Sequence, residues 1–79
     1  MHFKFKKHDK IVLLVEPDAE YIEYKPDFEG TPIIKGMTGE INIILPNGKY
    51  HIRIFDKKGN TIAYVPLDEE EIGPLDKKS

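Results

Sequence analysis

Between Ile33 and Val65 apolar side chains recur at every second position in three successive runs, and each gap between runs is a turn signal. In the run Gly39 to Leu45, Ile41, Ile43 and Leu45 alternate with Glu40, Asn42 and Ile44. In Tyr50 to Phe55, Tyr50, Ile52 and Ile54 alternate with His51, Arg53 and Phe55, and in Thr61 to Val65, Ile62 and Tyr64 alternate with Ala63 and Val65. A period of two belongs to a half-buried strand, and the β-branched and aromatic residues that dominate all three suit a pleated surface. The pattern predicts a three-stranded antiparallel meander.

The turns set its register. Pro46-Asn47-Gly48-Lys49 joins the first pair, and Asn-Gly is a strong hairpin signal because both residues tolerate positive φ. A loop that pairs Leu45 with Tyr50 also pairs Ile43 with Ile52 and Ile41 with Ile54. A three-residue loop with a bulge at Gly48 sets Ile43 against His51 and mixes the faces, so the hydrophobic pattern argues against it. The second turn, Asp56 to Asn60, has Asp at its first position and Gly59 at its fourth, which fits a type I turn with a glycine bulge. It sets Ile54 beside Ile62 and Ile52 beside Tyr64. The expected inner face is therefore Ile41, Ile43, Leu45, Tyr50, Ile52, Ile54, Ile62 and Tyr64. The other face carries Glu40, Asn42 and Arg53 together with an apolar cluster of Ile44, His51, Phe55 and Val65, which is either covered by the N-terminal segment through Phe3 and Phe5 or is an interaction surface.

A chain of 79 residues supports one small domain with a thin stability margin. One third of its residues are charged and it contains no cysteine, which excludes disulfides and thiolate metal sites and fits a reducing cytoplasm. No apolar run approaches the roughly 20 residues of a membrane-spanning helix, and the basic start has no apolar stretch typical of a signal peptide. Net charge is −2, but unevenly spread: Lys4, Lys6, Lys7 and Lys10 crowd the start, Glu16 to Glu29 is acidic with Lys25 alone against it, and Asp68 to Glu71 is a second acidic run.

In chain order, residues 1–8 read as an arm or edge strand, residues 9–74 as the domain and 75–79 as a flexible tail. Lys10 to Glu16 predicts a strand buried on both sides, or one with a bend shared between two sheets. Pro17 to Pro32 is a long connection holding three prolines and a glycine, with Tyr21 to Tyr24 as a short strand or one helical turn inside it; a loop of that length in a small domain is often functional. Leu67 to Ile72 suits a short helical turn capped by Asp68, stopped by Gly73 and Pro74.

A strong first strand, a long loop, a glycine-marked turn, a meander and a terminal helical turn follow the order of SH3-like barrels. Asp9-Lys10-Ile11-Val12-Leu13 resembles the opening strand of that superfamily, and Lys35-Gly36-Met37-Thr38-Gly39-Glu40-Ile41 is similar to the glycine motif of KOW-type domains. Phe55-Asp56, Gly59, Thr61-Ile62-Ala63 and Val65-Pro66-Leu67 resemble a small uncharacterised bacterial family of SH3-like proteins. The resemblance implies an all-β fold, a small barrel of about five antiparallel strands; it carries no function with it.

Two surfaces are candidates for binding. The first is the aromatic and acidic loop, with Tyr21, Glu23, Tyr24, Asp27 and Phe28 as contacts beside Glu16, Asp18 and Glu20; peptide-binding SH3 domains use such a loop, whereas the structural alternative is a surface loop pinned by its aromatics. The second is the Ile44, His51, Phe55 and Val65 cluster. Both point to a non-enzymatic module that docks a protein partner, itself a monomer or weak homodimer. The KOW-like turn suggests nucleic acid as the alternative ligand, through Lys35, Lys49, Arg53, Lys57 and Lys58; Lys49 and the Lys57-Lys58 pair, however, lie at opposite ends of one strand. His2, His8 and His51 lack the spacing of a zinc site, and nothing implies a catalytic cleft, so no cofactor and no enzyme activity are expected.

Overall fold

The computed structural model describes residues 4–75. It is all-β: one antiparallel sheet of six strands, β1 (Lys10–Leu13), β2 (Glu23–Tyr24), β3 (Thr38–Ile44), β4 (Tyr50–Phe55), β5 (Thr61–Leu67) and β6 (Ile72–Pro74), in the order β2-β5-β4-β3-β1-β6. Helical structure among the described residues is confined to three short 3-10 turns. No ladder joins the edge strands β2 and β6 among the described residues, so the sheet is open, with one strand more than the barrel expected from the sequence.

The meander is β3, β4 and β5, as the alternation predicts, but each hairpin carries a bulge that the turns do not announce. Pro46, whose ring holds φ near −65°, favours the second position of a type I turn over a turn that needs positive φ there. Gly48 follows at φ 90°, with its N–H donating to Leu45 O (2.9 Å) and the Leu45 N–H to Lys49 O (2.8 Å). This is the three-residue loop, and it sets Ile43 against His51 and Ile44 against Tyr50. The register then shifts between Ile41 and Ile43, leaving Asn42 as the extra residue, so that Ile41 faces Ile52 and Gly39 faces Ile54. The Asp56–Gly59 turn forms as expected, with Gly59 at φ 88° and its N–H on Asp56 O. A second shift beside it pairs Phe55 with Thr61 but Ile54 with Ala63, so Ile62 is the extra residue there.

The bulges reassign the faces. Ile41, Tyr50, Ile52, Ile54 and Ile62 are buried as expected. Ile43 instead turns outward, 42% exposed, and Leu45 and Tyr64 are only half-buried. Ala63, Val65 and Leu67 take the inward positions on β5.

The core draws on both halves of the sheet: Ile11 and Leu13 of β1, Ile72 of β6 and the meander residues form one cluster with Ile33 and Phe5. Phe5 is 5% exposed; its ring meets Tyr50 edge-on at 5.6 Å, and its N–H donates to the Tyr50 hydroxyl at 3.1 Å. Phe5 thus plugs the core instead of lying over the outer face; Phe3 and His2 lie outside the described residues. Of the two readings of the Lys10 to Glu16 run, burial on both sides does not hold: the chain bends at Leu14, which is 44% exposed, and β1 buries one face only, within a single sheet.

The long connection holds two 3-10 turns, Ala19–Tyr21 and Pro26–Phe28, around the short strand β2. The turn at Glu69–Glu71 follows Asp68, whose N–H donates to the Glu71 carboxylate at 2.9 Å. The turn ends at Glu71, before Gly73 and Pro74, and Ile72, Gly73 and Pro74 form β6, which pairs with β1. Residues 76–79, most of the tail expected to be flexible, lie outside the described residues.

Candidate functional site

The 16–24 segment is shaped by its own side chains. The Asp18 carboxylate accepts the Glu20 N–H at 3.1 Å, capping the Ala19–Tyr21 turn. That turn lifts Tyr21 off the sheet, 57% exposed. Beyond it β2 pairs with β5, Glu23 against Tyr64 and Tyr24 against Ala63, which fixes the segment to the meander.

The remaining aromatics of this loop do different work. The Tyr24 hydroxyl donates to Thr31 O at 2.6 Å, the Thr31 hydroxyl donates to Phe28 O at 2.7 Å, and both Tyr24 and Phe28 pack against the core. They pin the loop. Glu23 and Asp27 are exposed.

Tyr21 stands where two acidic runs meet. A cleft of about 330 Å3 is lined by Glu16, Pro17, Asp18 and Tyr21 from the loop and by Pro66, Leu67, Asp68 and Glu71 from the far end of β5 and the turn after it. The two runs are some fifty residues apart in sequence and side by side in space. Among the described residues Lys49 is the one cation lining the cleft, and its ammonium lies 3.1 Å from Asp68. A second, adjoining cavity has Glu20, Tyr21, Ile22 and Glu23 on one wall and Leu45, His51 and Pro66 on the other. Tyr21 is thus the ridge between two hollows.

The apolar cluster expected on the outer face is dispersed. Val65 lies in the core, because the Ile62 bulge inverts β5 from Ala63 onward. Ile44 packs against the core, because the Asn42 bulge inverts the tip of β3. Phe55 borders a groove at the opposite end of β4. His51 alone stays outside, where its ring stacks on Tyr64 (5.3 Å between centroids, 6° between planes).

Around that stack the outer face is polar. Register aligns Glu23, Tyr64, Arg53, Glu40 and Lys10 across five neighbouring strands. Asn42 Nδ2–H donates to His51 Nδ1 at 3.0 Å, and Arg53 Nη2 donates to Asn42 Oδ1 at 3.1 Å. Glu40 is held by His8 Nδ1 (3.1 Å) and the Lys10 ammonium (3.4 Å), and the hydrogen bond from His8 is the main reason its carboxyl sits below the ordinary glutamate value.

The five basic residues considered for nucleic acid do not gather. Lys49 is taken by Asp68, and Arg53 by Asn42. Lys57 and Lys58 are exposed on the β4–β5 turn and Lys35 on the turn before β3. Among the described residues no group of three His, Asp or Glu side chains is placed to hold a metal ion, and no helix is long and apolar enough to cross a membrane.

The chain matches no family model, no curated protein and no solved structure.

Sequence reasoning marked Tyr21 and the acidic loop but treated Asp68 to Glu71 as a separate run. The signal that joins them is Pro66: a proline inside a strand belongs where its missing N–H is not needed by a second partner strand, and this one, past the end of β2, lines both hollows with Tyr21.

Proposed function

We propose that this chain is a non-enzymatic protein-interaction module that docks a basic, partly apolar surface of a partner protein on the Tyr21 ridge. The observation that carries the reading is the convergence of the 16–23 and 68–71 acidic runs on one exposed aromatic ring. Lysine or arginine side chains of the partner would form charge-assisted hydrogen bonds with Glu16, Asp18 and Glu71. The ring of Tyr21, which lines the cleft together with Pro17 and Pro66, would take an aliphatic stem or a guanidinium plane. Lys49 is the cleft's own counter-ion, which a partner's cation would displace from Asp68.

The reading is tested by fluorescence anisotropy with a labelled peptide of alternating lysine and leucine. Binding should weaken as salt rises from 20 to about 300 mM, since surface charges are screened over roughly 8 Å at physiological salt. Tyr21→Ala should weaken it about tenfold or more. Absence of binding at low salt, or equal binding by Tyr21→Ala, would overturn the proposal.

A further inference from the structure

The end of the sheet away from Tyr21 carries an apolar hollow. It has a volume of about 530 Å3; Pro32, Ile34, Met37 and Phe55 line it, with Asp56 and Lys57 at its rim. Ile34 is 51% exposed there, although an aliphatic side chain of that size gains from burial.

Three lysines on or next to the lining, Lys35, Lys57 and Lys58, outweigh its one carboxylate, Asp56, which keeps its negative charge. Asp56 Oδ1 accepts the N–H groups of Lys58 and Asn60, both at 2.9 Å, and Oδ2 accepts from Asn60 Nδ2 at 3.1 Å. Its acceptors are spent on shaping the turn. Lys57 on the rim, Lys58 next to it and Lys35 next to the lining residues Ile34 and Gly36 are exposed, and none forms an ion pair among the described residues.

The complement of an apolar hollow with a lysine rim is an apolar knob with an acidic flank. The chain carries one: Tyr21, between Asp18, Glu20 and Glu23. The knob and the hollow lie beyond opposite ends of β4, whose six residues span roughly 20 Å. One molecule cannot fill its own hollow.

We infer that the Tyr21 knob of one copy docks in the Ile34–Phe55 hollow of a second copy, head to tail. The inference rests on the Tyr21 ridge being a docking surface and names its partner. Such a contact is heterologous: each copy keeps a free knob or a free hollow, so copies add in an open series or close as a ring. One ring and a few charges bury far less than the roughly 1,200 Å2 at which stable interfaces begin, so association is weak and rises with concentration.

Sedimentation equilibrium of the full chain at 20 mM salt should show an average mass that climbs between about 0.05 and 1 mM protein, and falls back towards the monomer at 500 mM salt. Tyr21→Ala and Ile34→Asp should each be monomeric alone. Mixed, they should form a species no larger than a dimer, because only the knob of Ile34→Asp and the hollow of Tyr21→Ala remain. Lys57→Glu with Lys58→Glu, both exposed, should reproduce the loss if Ile34→Asp does not fold. A wild-type chain that stays monomeric at low salt, or a Tyr21→Ala chain that assembles like wild type, would overturn the inference. If the monomeric chain still binds the lysine-leucine peptide through Tyr21, only the self-docking falls; if it binds neither, the docking surface falls as well.

Discussion

Arg53 Nη2 donates to Asn42 Oδ1 at 3.1 Å, and Asn42 is the residue by which β3 exceeds its partner strand. The extra residue reaches Arg53 and His51 together, so the bulge and the polar network are one feature. Arg53 Nε is buried without a hydrogen-bond partner among the described residues, which makes the remaining bond to Asn42 the more costly to lose. Asn42→Ala should lower stability by about 1–3 kcal/mol, measured by urea denaturation. A neutral result would mean that the backbone, not this side chain, holds the bulge.

Gly39 and Gly48 should respond to alanine for different reasons. A Cβ at Gly39 would stand 2.5 Å from the Arg53 carbonyl oxygen and 3.0 Å from Ile52 Cγ2, at a point where β3 and β4 are in close contact. At Gly48 a Cβ meets nothing within 4 Å, and the cost comes from φ 90° alone. We expect Gly48→Ala to cost about 1–2 kcal/mol and Gly39→Ala to cost more, about 3 kcal/mol, because overpacking there forces backbone apart. Equal losses in the two variants would contradict the β3–β4 register.

Phe5 should matter more than its place near the chain's start suggests. Phe5→Ala should cost about 3–5 kcal/mol, comparable to the whole margin of a core this small. The variant should be largely unfolded by circular dichroism at 25 °C, whereas Lys6→Ala, at an exposed position, should melt within a few degrees of wild type.

The aromatics of the loop should separate into two kinds. Tyr21→Ala should change stability by no more than about 0.5 kcal/mol. Tyr24→Phe removes the donor to Thr31 O and should cost about 1 kcal/mol; Phe28→Ala, packed on the core, should cost more than Tyr24→Phe. Thermal melts of the three variants would decide it, and a large loss from Tyr21→Ala would make the ridge a structural element.

Acid should act through Glu40. Its carboxyl lies below the ordinary value of 4.5, chiefly through the hydrogen bond from His8, with Lys10 adding to the effect. A depressed carboxyl binds fewer protons in the folded chain than in the unfolded one. Its contribution is therefore complete above about pH 4.5 and is lost as pH falls through the folded value. The melting temperature of Glu40→Gln should lie below wild type at pH 6, with the gap closing towards pH 3. A gap that stays constant with pH would contradict this.

The parts of the fold set by local chemistry could be read from the sequence. Alternation located β3, β4 and β5, and Asp56 and Gly59 specified their turn. What escaped was parity beyond a bulge. The alternation of Ile43 and Leu45 argued against the three-residue loop; the fixed φ of Pro46, a signal that reading did not use, favours it, and the two are reconciled only by an extra residue at Asn42 that contacts Arg53 and His51. The Ile62 bulge is likewise a property of packing: Ile62 and its neighbour Ala63 are both buried, which strict alternation forbids. For the candidate site, the residues were visible but their grouping was not. Tyr21, Tyr24 and Phe28 look alike in sequence, and only the pairing of β2 with β5 turns two inward and leaves one as a ridge.

The most direct measurement is amide chemical-shift mapping of the isotope-labelled chain titrated with the lysine-leucine peptide at 20 mM salt. Saturable shifts are expected in Asp18 to Glu23 and in Val65 and Leu67 to Glu71, and none of comparable size at Lys10, Glu40 or Arg53. Shifts confined to that outer-face row, or no shifts at all, would contradict docking on the Tyr21 ridge.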